Sequence, residues 1–167
     1  DHREGQGIAG MLFYNAEGTE MGGLIFHSNR NPDGYETFGH LSFDQYNQDQ
    51  VVALNYQGTD TSRAAGLRVW DRPTSVTIDE MIEAAQTQRE AGQDSARLVQ
   101  AQEVLDQTRQ ETAFRVFVGS EDQNAGVHLY DTKGHERIRM VVDSLDRPQL
   151  VFLDKDGEVV RRFLANE

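Results

Sequence analysis

One short pattern occurs three times in this chain: an apolar run ends in Asn or Asp, and glycine follows three residues later. The copies are Asn15–Gly18, Asp131–Gly134 and Asp154–Gly157. Asn or Asp at the first turn position can accept hydrogen bonds from backbone amides ahead of it, while glycine accommodates the positive φ that closes a hairpin. The pattern therefore predicts three β-hairpins, whose apolar faces neighbouring copies must cover.

The residues around these turns also match. Residues 10–26 align without gaps on residues 126–142, so that Gly10 meets Gly126 and Tyr14 meets Tyr130. Further short apolar or alternating runs are separated by Gly, Asn and Asp, which is typical of antiparallel strands. We predict a mainly β fold of antiparallel hairpin repeats in a sandwich-like or solenoid-like sheet. The predicted strands contain residues 11–14, 24–26, 41–43, 51–54, 66–70, 114–118, 127–130, 138–142, 150–153 and 159–164.

Residues 77–111 are different, because they are rich in Ala, Gln, Glu and Arg. Thr77 and Glu80 have the spacing of a capping box. Gly92 predicts a break that divides the segment into helices over 78–91 and 94–111. We predict a single β domain over residues 1–167 with a helical insertion at 77–111. The insertion either projects from the β body or covers one sheet face lightly, since its apolar stripe is narrow. That stripe consists of Ala84, Ala91, Leu98 and Leu105.

Composition excludes several partners. The 167 residues include 28 acidic and 16 basic side chains, for a net charge of −12, which disfavours nucleic acid and anionic lipid. No apolar run approaches the length of about 20 residues that spans a membrane. Cysteine is absent, which excludes disulfides and thiol chemistry. The first residues do not resemble a signal segment, and an anchor removed from upstream is left open.

No catalytic, cofactor or metal site is predicted. Residues 5–10 have the letters of a dinucleotide fingerprint, but that motif needs a strand before it and a helix after it. Residues 154–158 resemble the start of a calcium loop, yet position 165 is Ala where an EF-hand has Glu. The histidines lack the spacing of a helical metal site. We therefore predict a non-enzymatic protein, although paired catalytic carboxylates remain an open alternative.

Six side chains are candidates for interaction. Tyr46 lies in the amide-rich and acidic run 44–50. This run is either a surface that contacts sugars or peptides, on which Tyr46 stacks, or the solvated end of a hairpin. Trp70 is a second aromatic candidate. Runs 11–14 and 150–153 are apolar at consecutive positions, so both faces of those strands need cover. The remaining candidates are Leu150 and Phe152 in the second of these runs, and Leu98 and Leu105 in the helical segment.

Four stretches of the chain together resemble a family of bacterial envelope-associated β-hairpin-repeat proteins without an assigned activity. They are GGLIF at 22–26, GHLSFDQYNQDQVV at 39–52, AGLRVWDRP at 65–73 and RPQLVFLDKDGEVV at 147–160. The resemblance implies a hydrophobic N-terminal anchor followed by hairpin repeats, and an extracytoplasmic rather than cytoplasmic location. It implies no catalytic residues.

The sequence favours a structural or interaction subunit of a homo-oligomer or of a larger envelope-associated protein assembly. The alternative is a β module that binds carbohydrate or a small ligand through residues 43–50 and Trp70. A broad apolar face would favour the assembly subunit, whereas a concave aromatic-lined pocket would favour the binding module.

Overall fold

The computed structural model describes residues 8–90 and 95–165. Ten strands form a single sheet in chain order, with every neighbouring pair antiparallel. The mainly β hairpin architecture is confirmed, and the strands form one continuous sheet. The strands are β1 (Ile8–Tyr14), β2 (Glu20–Asn31), β3 (Gly34–Asp44), β4 (Gln50–Thr59), β5 (Arg63–Asp71), β6 (Ala113–Glu121), β7 (Asn124–Tyr130), β8 (Glu136–Val142), β9 (Pro148–Leu153) and β10 (Val159–Leu164).

The three repeated turns have the predicted geometry. The Oδ1 atom of Asn15 accepts hydrogen bonds from the amides of Glu17 and Thr19, at 2.9 and 3.0 Å. Asp131 and Asp154 do the same in their own turns. The glycines that close these turns, Gly18, Gly134 and Gly157, have φ of 83°, 79° and 83°.

A fourth turn of this kind was not predicted. The Oδ1 atom of Asp143 accepts hydrogen bonds from the amides of Leu145 and Arg147. Its positive-φ residue is Asp146, with φ of 61°. The predicted pattern requires glycine at the closing position, so it does not include this turn. Asp is one of the few other residues that tolerate a left-handed backbone.

Two helices separate β5 from β6, and they are α1 (Ile78–Glu90) and α2 (Ser95–Glu111). The capping box at the start of α1 is confirmed, since the amide of Thr77 donates to Glu80 Oε2 at 2.7 Å and the amide of Glu80 donates to Thr77 Oγ1 at 3.3 Å. The predicted break at Gly92 and the stripe residue Ala91 lie outside the described residues. Each helix has the other as its main packing partner, which favours a projecting hairpin over one that covers a sheet face.

Side chains on the two faces of the sheet differ in burial. Residues paired across strands share a face, and successive residues alternate between faces. The face that carries Ala53, Phe117 and Val151, here called the inner face, leaves those side chains 0%, 6% and 1% exposed. The opposite face, here called the outer face, leaves Leu54 and Val118 51% and 41% exposed. Part of this burial comes from neighbouring side chains and from the segment after β5: the guanidinium of Arg68 lies 5.0 Å from the ring centroid of Phe117, and Arg72 Nε donates to the carbonyl of Gln50 at 2.7 Å.

Glycines permit close packing where β5 meets β6. Gly66 pairs directly with Gly119 on the inner face, and the ring of Phe117 lies beside both. A Cβ atom added to Gly66 would lie 2.6 Å from that ring, and one added to Gly119 would lie 2.8 Å from it. The absence of side chains at these two positions therefore makes room for Phe117 to be buried.

The positive-φ glycines allow a test of the turns. An added Cβ at Gly18 or Gly157 meets no atom within 4 Å, so substitution there changes only the backbone energy. We expect Gly18→Ala and Gly157→Ala each to lower the free energy of unfolding by about 1 kcal/mol, measured by chemical denaturation. Gly39→Ala is the matched control, because its Cβ would make an ordinary 3.5 Å contact with the Phe26 ring. Equal effects at all three positions would contradict the turn assignment.

Candidate interaction surfaces

The outer face carries an apolar row that crosses the entire sheet. Each member is the direct cross-strand partner of the next. No member is charged, and on every strand the row lies at the same level. The row consists of Met11, Leu24, Leu41, Leu54, Leu67, Val118, Val127, Met140, Leu150 and Phe163.

A second row lies on the same face of β3 to β10, two residues away from the first row in each of these strands. It begins at Phe43 in β3 and ends at Arg161 in β10, with only apolar residues between them: Val52, Val69, Val116, Leu129, Ile138 and Phe152. Several large side chains of the outer face are about half exposed, including Met11 at 56%, Phe43 at 58% and Met140 at 56%. The described residues contain no element that covers these two rows in the way that a second layer covers a sheet.

Leu150 and Phe152 belong to these two rows, so the structure brings both predicted candidates onto the outer face. The residues between and after them, Val151 and Leu153, are only 1% and 4% exposed on the inner face. Phe152 packs edge-on against Phe163, with ring centroids 6.3 Å apart. The consecutive apolar run therefore serves two surfaces, one buried within the chain and one left open.

Tyr46 is located in the turn between β3 and β4, where its neighbours have internal roles. The side-chain amide of Gln45 donates to the carbonyl of Pro73 at 2.9 Å, and that of Gln48 donates to the carbonyl of Val76. Tyr46 itself is 56% exposed, and its hydroxyl donates to Glu17 at 2.7 Å. That hydrogen bond raises the pKa of the Tyr46 phenol. The amides thus hold the chain that leads into α1, which weighs against them as sugar contacts.

Trp70 occupies a different part of the molecule. Its ring packs against Phe114 at 5.5 Å, and Phe114 packs against Tyr130 at 4.7 Å. The guanidinium of Arg72 lies over the Trp70 ring at 5.5 Å. Trp70 is thus part of an aromatic cluster with Phe114 and Tyr130, and neither of its two ring contacts is with Tyr46.

Leu98 and Leu105 are half-buried on the side of α2 that also carries Ala101. Ala84 in α1 and Ala101 in α2 are each 5% exposed, and small side chains of this kind let two helices approach closely. Gln88 also donates across the pair to Gln102 at 3.1 Å. The predicted stripe therefore faces the other helix in part, and the sequence analysis missed the contribution of Ala101.

Three carboxylates come together near the turn between β3 and β4. Desolvation raises the pKa of Glu20, and the charges of Asp44 and Asp49 raise it further. Desolvation also raises the pKa of Asp44, with Asp49 adding repulsion. Arg72 offsets part of this charge through an ion pair with Asp49 at 3.1 Å. Asp44 and Asp49 belong to the acidic run 44–50 noted in the sequence, but the approach of Glu20 was not predicted, because it depends on the pairing of β2 with β3.

The described residues contain no group of His, Cys, Asp and Glu suited to a metal ion. Asp154, which begins the calcium-like letters, uses Oδ1 for two backbone amides of its turn. Of the letters that resemble a dinucleotide fingerprint, residues 5–7 lie outside the described part of the chain, and Gly10 lies within β1. Neither described helix has the length and apolar character needed to cross a membrane.

Comparisons with protein-family models, with curated proteins and with solved structures found no match. The resemblance to envelope-associated proteins therefore stays a prediction, as do the location and the anchor that it implies.

The carboxylate cluster predicts a stability that depends on pH. Because the folded state raises the pKa of Glu20, its ionisation opposes folding above that pKa, and the penalty vanishes as pH falls below the unfolded value. We expect Glu20→Gln to increase the free energy of unfolding at pH 7 by about 0.5 kcal/mol, a small value because solvent screens this site. The gain should disappear near pH 4.

Glu103→Gln is the control for this measurement, since it removes the same charge from an exposed position on α2. Both variants are compared with the parent by thermal denaturation at a series of pH values. An equal gain from both substitutions would mean that net charge, rather than the cluster, determines the effect.

Proposed function

We propose that this protein is a non-enzymatic structural subunit that associates with a second copy of itself through the outer face of its sheet. The observation that supports this most is the apolar row across all ten strands, on the face that no other described element covers. A broad face of this kind is what distinguishes an assembly subunit from a module that binds ligand in an aromatic-lined pocket.

The size of the surface supports this proposal. Neighbouring strands lie about 4.8 Å apart, so a row across the sheet is about 43 Å long, and the two rows lie about 7 Å apart. They outline a strip on the order of 300 Å², a size at which the largest apolar patch of a protein is often functional. A strip whose one charged side chain lies at its end suits a symmetric contact between identical surfaces.

The distribution of charge favours the same partner. The chain has a net charge of −12, yet the first row has no charged side chain and the second has only Arg161 at its end. Two copies can therefore bring their outer faces together without burying carboxylates, and sheets pack in this way at a separation of about 10 Å. In a larger assembly, the outer face would pack against an apolar surface of another protein.

A substitution in the first row tests the proposal. We expect the purified protein to be a dimer at micromolar concentration, and Leu54→Asp to make it a monomer, because a buried unpaired carboxylate costs several kcal/mol at an interface. Light scattering coupled to size exclusion measures the mass, and circular dichroism checks that the β structure is kept.

Leu145→Asp is the matched control. Leu145 is 68% exposed in the turn between β8 and β9, outside both rows. Its substitution also replaces an exposed leucine with a charge, and it should leave the dimer intact. A parent protein that is monomeric at micromolar concentration would refute self-association.

Removal of the helical hairpin separates its role from that of the sheet. Asp71 and Ala113 pair directly at the ends of β5 and β6, so a short Gly/Ser linker can replace residues 79–111. We expect the β-type circular dichroism and the dimer to persist, because each helix packs mainly on the other. Loss of the dimer with intact β structure would instead assign the contact to Leu98 and Leu105. Loss of the β spectrum would contradict a projecting hairpin.

A further inference from the structure

A cleft of about 320 Å³ opens on the inner face, over strands β6 to β10. Phe117 and Val151 line it with side chains that are only 6% and 1% exposed, and Arg139 and Arg162 line it as well. We propose that this cleft binds a small organic carboxylate. The two arginines hold the carboxylate group, and the apolar body lies against Phe117 and Val151. This site is independent of the association through the outer face.

The strand register brings the two arginines together. Arg139 in β8 is the direct partner of Val151 in β9, and Val151 is the partner of Arg162 in β10. The arginines therefore flank a buried valine at one level of the sheet, with backbones about 10 Å apart. Two side chains of this length can reach one anion between them, and a guanidinium matches the planar geometry of a carboxylate.

Carboxylates that line the cleft already have cationic partners. Glu121 Oε1 lies 3.1 Å from the guanidinium of Arg68, and Asp143 Oδ2 lies 2.7 Å from that of Arg147. These pairs neutralise the acidic groups at the edge of the cleft. A ligand carboxylate in the cleft is therefore repelled less than the net charge of −12 would suggest.

The arginines of the cleft, in contrast, are not fully engaged: Arg162 is exposed at its rim, and 38% of the Arg139 side chain is exposed. Arg162 makes no ion pair or side-chain hydrogen bond with the residues that the structure describes. Arg139 Nε is buried without a hydrogen-bond partner among them, although it lies 3.4 Å from Glu136 Oε2. A buried donor without an acceptor is costly. A bound carboxylate would give Arg139 Nε a better-directed acceptor than Glu136, and it would give Arg162 an ion-pair partner.

The volume and the lining limit the size of the ligand. Binding pockets commonly measure about 300–1,000 Å³, so a cleft of about 320 Å³ suits a small molecule. Gln149 and Asn124 also line the cleft and offer amides to a polar substituent. The combination of an apolar floor with two cations on one side selects an amphipathic anion over a sugar.

Isothermal titration of the full chain with benzoate tests this proposal. Benzamide serves as the uncharged analogue of the same shape, and inorganic phosphate serves as an anion without an apolar body. We expect saturable binding of benzoate, with benzamide and phosphate each weaker by at least about tenfold, since a charge-assisted hydrogen bond and the apolar contact each contribute at least that factor.

Two adjacent arginines provide matched variants. Arg162 faces the cleft, whereas Arg161 faces the outer side, where its guanidinium lies 4.9 Å from the ring centroid of Phe163. Arg162→Gln should weaken benzoate binding by about tenfold or more, and Arg161→Gln should leave it unchanged. Circular dichroism checks that both variants fold.

Three results would overturn the proposal. They are the absence of saturable benzoate binding to the parent protein, equal binding of benzamide or phosphate, and equal weakening by the two arginine substitutions. The third result would show a general effect of charge rather than a site on the inner face.

Discussion

The sheet has two faces, and the residues that the structure describes bury large side chains mainly on one of them. On the inner face, Ala53 and Val151 are almost inaccessible to solvent. On the outer face, Leu54 and Val118 are 51% and 41% exposed. The helical hairpin does not compensate, because its helices pack mainly on each other. The two surfaces proposed for this protein, the apolar strip and the cleft, are both consequences of this geometry.

Much of the fold could be predicted from the sequence because its determinants are local. Each of the ten predicted apolar runs lies within a strand of the structure. The turn residues Asn15, Asp131 and Asp154 bond to amides only two and four residues ahead. The capping box at Thr77 likewise depends on residues three apart. Interactions over such short distances can be recognised without knowledge of the register.

The surfaces depend on residues that are distant in sequence. Arg139 and Arg162 face one cleft because β8, β9 and β10 have a particular register. A bulge between Val159 and Arg161 changes that register by one residue, and a shift of one residue moves every later side chain to the other face. Alternation along the sequence cannot reveal such bulges. The sequence therefore indicated Leu150 and Phe152 as an open surface but gave no sign of the arginine pair.

The placement of charge explains how a chain with so large an apolar surface can avoid uncontrolled aggregation. The carboxylates of the hairpin turns and of the helices lie outside the two apolar rows, so a net charge of −12 surrounds the strip without interrupting it. Such a charge repels copies that approach in most orientations, whereas the outer faces can meet with the charges at their margins. The edge strands are less protected: β1 has no charged residue, while β10 has Arg161 and Arg162. Exposed, uncharged edges are sites at which sheets extend. The proposed association through the outer face would leave the β1 edge unpaired among the residues that the structure describes.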